Sequence, residues 1–304
     1  MDYKFSGHET FAFRYAWLPK AFNAIQLTPD LFSDENNAMV QLGVGKNMVR
    51  SIRFWASLTG IITLKSGRLY QTTPFGEKIF DQQKGFDPYL EDSQTLWLLH
   101  WRVSTANEPL FSWYYLLNRW QESEMIPSVI VSMIIRELEG QHKISKNSLE
   151  SLLKVFFHTY VSTRGTKSKV LEDNLDCPLV QLKLIEFSGD KDGSSAGKKE
   201  PIYTFNRGNK PEIGLSLFLF CLCDFWKKSF SDERTLSYEQ IANGLNSPGQ
   251  VLKLSEEGIQ DRLNNLTQFS HLFTFTDSST SRLLERKFDD FEAVSDELLK
   301  GIYK

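Results

Sequence analysis

Two short stretches carry side chains able to work on a phosphodiester. "SGHETFAFR" sets His8 beside Glu9, with Arg14 close behind, and "DPYLED" offers Asp87, Glu91 and Asp92, with His100 further along the chain. Metal-assisted phosphodiester cleavage needs two or three carboxylate or imidazole ligands and a group that activates water. If the fold brings the N-terminus against the later helices, these residues would supply such a set around a divalent magnesium or manganese ion. His8, Glu9, Asp87, Glu91 and Asp92 are therefore the candidate catalytic residues. Each also has a simpler use. Asp87 before Pro88, and Asp92 with Ser93, can cap helices, while His8 and Glu9 can bond backbone groups or pair with Arg14. A tyrosine nucleophile of the His158/Tyr160 kind would want a histidine-rich metal triad, which five scattered histidines do not offer. No P-loop, dinucleotide-binding glycine fingerprint, nucleophile elbow or zinc-finger spacing occurs.

A second constellation is electrostatic. The chain carries a net charge of −3, yet residues 42–80 hold Lys46, Arg50, Arg53, Lys65, Arg68 and Lys78 against the single acid Glu77. In "KNMVRSIRFWASLTG" the apolar Met48, Ile52, Trp55 and Ala56 recur at helical spacing and predict one core-facing side. Lys46, Arg50 and Arg53 follow at i, i+4 and i+7 and form a separate stripe. Asn47 lies at the start of that helix, and Lys65 and Arg68 flank a predicted hairpin tip. Such side chains neutralise phosphates, and Arg and Asn read base edges. Lys46, Asn47, Arg50, Arg53, Lys65 and Arg68 are thus the candidate DNA-binding residues. The competing reading is a solvated face on a protein-binding unit, because a fold does not by itself set a function.

The elements that must position these residues can be read from local signals. A helix is predicted from about Leu18 with Pro19 in its first turn, then a short helix capped by Ser33 and ended by Gly43. The basic helix follows and stops at Gly60. "IITLKSG" and "RLYQTTP" then predict a β-hairpin turning at Lys65-Ser66-Gly67. Helix, tight turn, helix and hairpin is the order of a winged helix-turn-helix, whose second helix enters the major groove. Residues 81–143 read as helical and aromatic-dense, with Trp97, Trp101, Trp113 and Trp120 expected in a core. Residues 144–210 begin with the amphipathic "SLESLLKVFFHTYV", followed by the basic, flexible "STRGTKSK". The polar "SGDKDGSSAGKKEP" reads as an exposed wing or disordered insert before the strand "IYTFNRG". Residues 211–304 hold a second helix-turn-helix pattern, with helices over 238–245 and 255–266. Glu256, Glu257 and Asp261 against Arg262 make the latter a poor face for a duplex, so an architectural or protein-binding role is expected there. The fold class is mainly α with short β-hairpin wings, built as winged helix-turn-helix units around a helical middle, with boundaries at 1–80, 81–143, 144–210 and 211–304.

Composition agrees with a chain that buries real cores: 41% of residues are hydrophobic, with 23 Phe and 7 Trp among them. Disorder is therefore a poor description of the whole. No signal-like or membrane-spanning stretch occurs, and a cytoplasmic location is expected. The three cysteines, Cys177, Cys221 and Cys223, do not describe a disulfide framework. Cys221 and Cys223 in "LSLFLFCLCDFW" read as buried thiols.

Several motifs in a fixed order, "FSGHETFAFRYAWLPKAF", "LGVGKNMVRSIRFWASLTGII", "DPYLEDSQTLWLLHW", "EDNLDCPLVQLKLI" and "SPGQVLKLSEEGI", resemble the bacterial family catalogued as domain of unknown function four-thousand-and-seven. The resemblance extends over nearly the whole chain. It implies a protein encoded beside sulfur-transfer partners (a cysteine desulfurase, an ATPase and an ATP-pyrophosphatase-like protein) in systems of DNA phosphorothioate modification. It further implies double-stranded DNA as a partner and nicking of one strand to let sulfur in, with a non-enzymatic DNA-binding adaptor or regulator as the alternative. The residues do not set an oligomeric state, and a homodimer is compatible with them.

Overall fold

The computed structural model describes residues 3–138, 144–162, 177–192 and 199–304; "STRGTKSK" beyond Ser162 and most of "EDNLDC" lie outside them. Mainly α structure with small antiparallel sheets is what the chain adopts. It divides into two compact units, one of residues 1–116 with 120–206 and one of residues 117–119 with 207–304.

In the first unit, α1 (Trp17–Leu27), α2 (Glu35–Leu42) and α3 (Lys46–Leu58) lead into a hairpin of β1 (Ile62–Ser66) and β2 (Leu69–Thr72), closed by α4 (Pro74–Phe80). Asp34, not Ser33, caps α2, its carboxylate accepting from the amides of Asn36 and Asn37. The shift is local: Ser33 ends a 3-10 turn over Leu31–Ser33, so the first free amides face the next residue. Gly43 ends α2 with φ +64°, and Gly45 supplies the extended residue before α3. On α3 the buried face is Val49, Ile52, Trp55 and Ala56, while Met48 is only half-buried. The stripe is rotated by about one residue from the spacing expected, because Ser51 is drawn into the core as well.

Ser51 is buried by a contact no local pattern announces. Its hydroxyl donates to the backbone carbonyl of His8 at 3.0 Å, and the Trp55 indole donates to the carbonyl of Phe11 at 3.2 Å. Residues 7–11 therefore lie as a turn across α3. Gly7 has φ +115°, and a Cβ there would stand 2.5 Å from the Phe54 ring. Glu9 and Thr10 also hold positive φ, at +48° and +65°. Non-glycine residues in that region carry strain that the surrounding contacts must offset. His8 is 4% exposed; its Nδ1 accepts from the Thr10 amide at 3.1 Å, and its Nε2 is buried with no hydrogen-bond partner among the described residues. Burial lowers its pKa from the ordinary 6.5 to about 4.

The aromatic middle is core, as its density implies. α5 (Ser93–Ser104), α6 (Phe111–Tyr114), α7 (Pro127–Glu137) and α8 (Lys146–Tyr160) bury Trp97, Trp101, Trp113 and Trp120. Trp55 meets Trp113 edge-on at 5.8 Å, and Trp113 meets Phe156 at 4.9 Å, so α3 is joined to α8 through rings. At the centre the Tyr160 hydroxyl accepts from the Trp113 indole at 2.8 Å and lies 2.7 Å from Nδ1 of His100. A sheet of β3 (Glu124–Met125), β5 (Lys199–Phe205) and β4 (Ile185–Asp192) completes the unit in the order β3-β5-β4. Much of "SGDKDGSSAGKKEP" is thus strand, with Asp192 paired to Lys199. Cross-strand bonding over eight residues overrides its polar, glycine-containing composition. Residues 193–198 fall outside the description.

In the second unit α9 (Leu215–Ser229) packs along α13 (Phe291–Ile302) and buries Cys221 and Cys223 as free thiols, whose pKa burial raises. α10 (Tyr238–Asn243) starts from a capping box of Ser237 and Gln240. The segment expected as a simple turn holds a short helix, α11 (Pro248–Val251), before α12 (Glu256–Asn264). Ser247 as cap and Pro248 at the first position give that segment its own start signal. β6 (Thr235–Ser237), β7 (Phe273–Asp277) and β8 (Arg282–Arg286) form a sheet in the order β6-β8-β7. The Arg262 guanidinium donates to the carbonyls of Asn209, Gly258, Lys210 and Ile213, so the one cation of α12 is engaged inside the unit. Among the described residues no helix is long and apolar enough to cross a membrane.

Two outcomes are expected of this packing. Tyr160→Phe strands the Trp113 N–H in the core and should cost about 1–3 kcal/mol in urea unfolding of the full chain; unchanged stability would show that the hydroxyl does not hold the core together. For His8, the unfolded imidazole takes up its proton near pH 6.5 and the folded one only near 4. Unfolding therefore binds a proton in that window, and stability falls as pH is lowered through it, by roughly 1–3 kcal/mol. In His8→Gln the unfolding free energy should depend less on pH between those values.

Candidate nucleic-acid interface

Lys46 and Arg53 of the α3 stripe face a cleft of about 690 Å³ bounded by the start of α2, by α3 and by the β1–β2 hairpin. Lys46, Arg53 and Arg68 line it with Phe32, Tyr70 and Leu64. The hairpin reaches this position through two anchors. The Tyr70 amide donates to the Pro29 carbonyl at 2.8 Å, and the Tyr70 ring meets Phe32 edge-on at 5.5 Å. Leu64 pairs across the strands with Tyr70, and Gly67 turns the chain with φ +56°. The tip carries Lys65 and Arg68, both exposed. Leu64, at 54% exposed, adds apolar surface to the same hairpin.

All six residues read as nucleic-acid contacts lie on these elements. Asn47 is exposed at the first turn of α3. Lys46 and Arg50 are held by an acid that their own spacing does not reveal: Glu35, in the first turn of α2. Lys46 Nζ lies 2.8 Å from Glu35 Oε2, and Arg50 Nε donates to Oε1 at 2.6 Å. These bonds, from Arg50 first and Lys46 second, lower the Glu35 pKa to about 2 and raise that of Arg50. Arg53, Lys65 and Arg68 have no ion-pair partner among the described residues. The neighbouring Asp34 is occupied as the cap of α2.

The candidate catalytic residues occupy other kinds of position. His8 and Glu9 lie in the strained turn on α3, where Glu9 acts electrostatically on Arg50. Asp87 is buried and accepts from the amides of Glu91 at 2.7 Å and Asp92 at 3.0 Å. Asp92 caps α5 through the Gln94 amide at 2.8 Å, and the Glu91 side chain is exposed. His100 is enclosed with Tyr160. Magnesium and manganese favour several convergent oxygen ligands. Among the described residues no group of three or more His, Cys, Asp or Glu is arranged to hold a metal ion.

Glu35 is the charged residue of this cleft that sequence reasoning passed over. It sits in "SDENN", where an acid in a first helical turn has a sufficient local explanation in the helix dipole. Its partners lie 11 and 15 residues further on, beyond any helical period.

Comparison with known proteins places the chain. The family described as "Protein of unknown function (DUF4007)" matches residues 5–303. A crystal structure of SspB is similar with a TM-score of 0.83 at 26% identity, covering 98% of this chain and 87% of that one. A magnesium-ion-bound crystal structure of SspB gives 0.81 at 26% identity, covering 97% and 88%. No curated protein matches the sequence. With a family match from the fifth residue almost to the last, the chain belongs to the DUF4007 family.

Proposed function

We propose that this protein binds duplex DNA through α3 and the β1–β2 hairpin, as a component of a DNA phosphorothioation system. In this reading α2, α3 and the hairpin are a winged helix unit. α3 enters the major groove with Asn47 at its leading end, and the hairpin lies along the backbone. The single observation that carries the reading is the cleft in which the stripe of α3 faces the hairpin, with Arg53, Lys65 and Arg68 free of ion pairs among the described residues. Surface cations without protein partners are the groups that release counterions when phosphates dock. The link to phosphorothioation is supported by the family and by the likeness to SspB. The sulfur-transfer partners (cysteine desulfurase, ATPase and ATP-pyrophosphatase-like protein) belong to the same proposal.

Strand nicking is the enzymatic extension of this reading, and the specific observation favouring it is the likeness to a magnesium-bound SspB. No catalytic step is assigned to the side chains described. The rival is an adaptor that binds duplex and leaves both strands intact.

Salt titration of duplex binding tests the main proposal. Arg53→Ala and Arg68→Ala should each weaken binding and flatten the plot of log affinity against log salt by about 0.9 for each phosphate left without its cation; unchanged binding in the double variant would remove the cleft as the interface. Supercoiled plasmid incubated with Mg²⁺, Mn²⁺ or chelator separates the two activities. Open circles formed only with metal mark a nickase, whereas plasmid that shifts on a gel but stays supercoiled marks the adaptor.

A further inference from the structure

Glu35 is an acid set inside a basic cleft. It receives Lys46 on one oxygen at 2.8 Å and Arg50 on the other at 2.6 Å. Both cations come from the helix proposed to meet DNA, and both converge on one carboxylate. A carboxylate and a phosphate present the same kind of planar or tetrahedral oxygen pair to an arginine fork and a lysine ammonium. Two further observations separate this from an ordinary surface pair. Glu35 lines the cleft together with Arg53 and Arg68, which have no ion-pair partner among the described residues. Asp34 beside it is committed to backbone amides, so of the two lining acids only Glu35 is turned on the cations.

We infer that Glu35 occupies the seat of a DNA backbone phosphate, holding Lys46 and Arg50 in a partly neutralised state that a docking duplex must displace. The inference rests on the duplex-binding reading and adds its regulation. Arg53, Arg68 and Lys65 make the first, sequence-independent attraction. A phosphate brought to the cleft by close fit then competes with Glu35 for Lys46 and Arg50. A poorly seated duplex does not win that exchange, so the carboxylate lowers non-specific affinity and raises discrimination, as a repulsive element set against wrong partners does.

The test is fluorescence anisotropy of the full chain with a short labelled duplex of mixed sequence, titrated across salt. Glu35→Gln should bind more tightly by on the order of threefold to tenfold at low salt. Its salt dependence should steepen by about one to two in slope as Lys46 and Arg50 become free to release counterions. Both gains should vanish in Glu35→Gln combined with Lys46→Gln and Arg50→Gln. Glu292→Gln, which removes an acid paired with Lys227 in the second unit, should give no gain. An equal gain from Glu292→Gln would reduce the effect to net charge and overturn the inference. Unchanged or weaker binding by Glu35→Gln, with the wild type binding, would overturn it too and make Glu35 a positioning group, leaving the duplex-binding reading intact. Absence of binding by both proteins would overturn that reading and the inference with it.

Discussion

Much of the first unit depends on α3 being held from two sides at once. Its core side is fixed by Trp55, fully buried and edge-on to Trp113, and by an indole N–H that must find an acceptor in that core. The acceptor is the Phe11 carbonyl, and one turn earlier on the helix the Ser51 hydroxyl donates to the His8 carbonyl. A buried indole or hydroxyl left without a partner is costly, so the N-terminal turn cannot leave α3 without exposing that cost. The strained Glu9 and Thr10 and the close approach of Gly7 to Phe54 are tolerated for the same reason.

With its inner side clamped, α3 has only one direction in which to present Lys46, Arg50 and Arg53. Electrostatics then organises what packing leaves exposed. α2 enters beside α3 with Glu35 in its first turn, where the helix dipole favours an acid, and that acid collects two of the three cations of the stripe. The hairpin supplies the opposite wall through Tyr70 and Phe32. The cleft is therefore a by-product of three short elements docking on one helix, and its charge pattern is partly cancelled from within.

The second unit also combines helices with a small antiparallel sheet, with the opposite electrostatic result. Glu256, Glu257 and Asp261 lie on α12, while Arg262 satisfies four backbone carbonyls. Buried carbonyls demand donors, and an arginine with five N–H groups meets several at once. A cation assigned to that task is lost to any surface partner.

What the sequence determined alone was whatever repeats over a few residues. The amphipathic period of α3, the glycine-turned hairpin, the aromatic density of the middle and the buried Cys221 and Cys223 all rest on neighbours within one or two turns, where chain geometry makes spacing equivalent to direction. For the same reason local signals placed Ser33 and Met48 one residue away from the positions that Asp34 and Val49 fill. Asp87 and Asp92 were legible in both of their readings, and only the structure shows them accepting backbone amides. Tertiary structure alone decided that Glu35 meets Arg50 across 15 residues and that Ser51 meets His8 across 43. Such pairs depend on where two elements cross, and a crossing is set by the packing of whole apolar faces, which no short spacing of charges records.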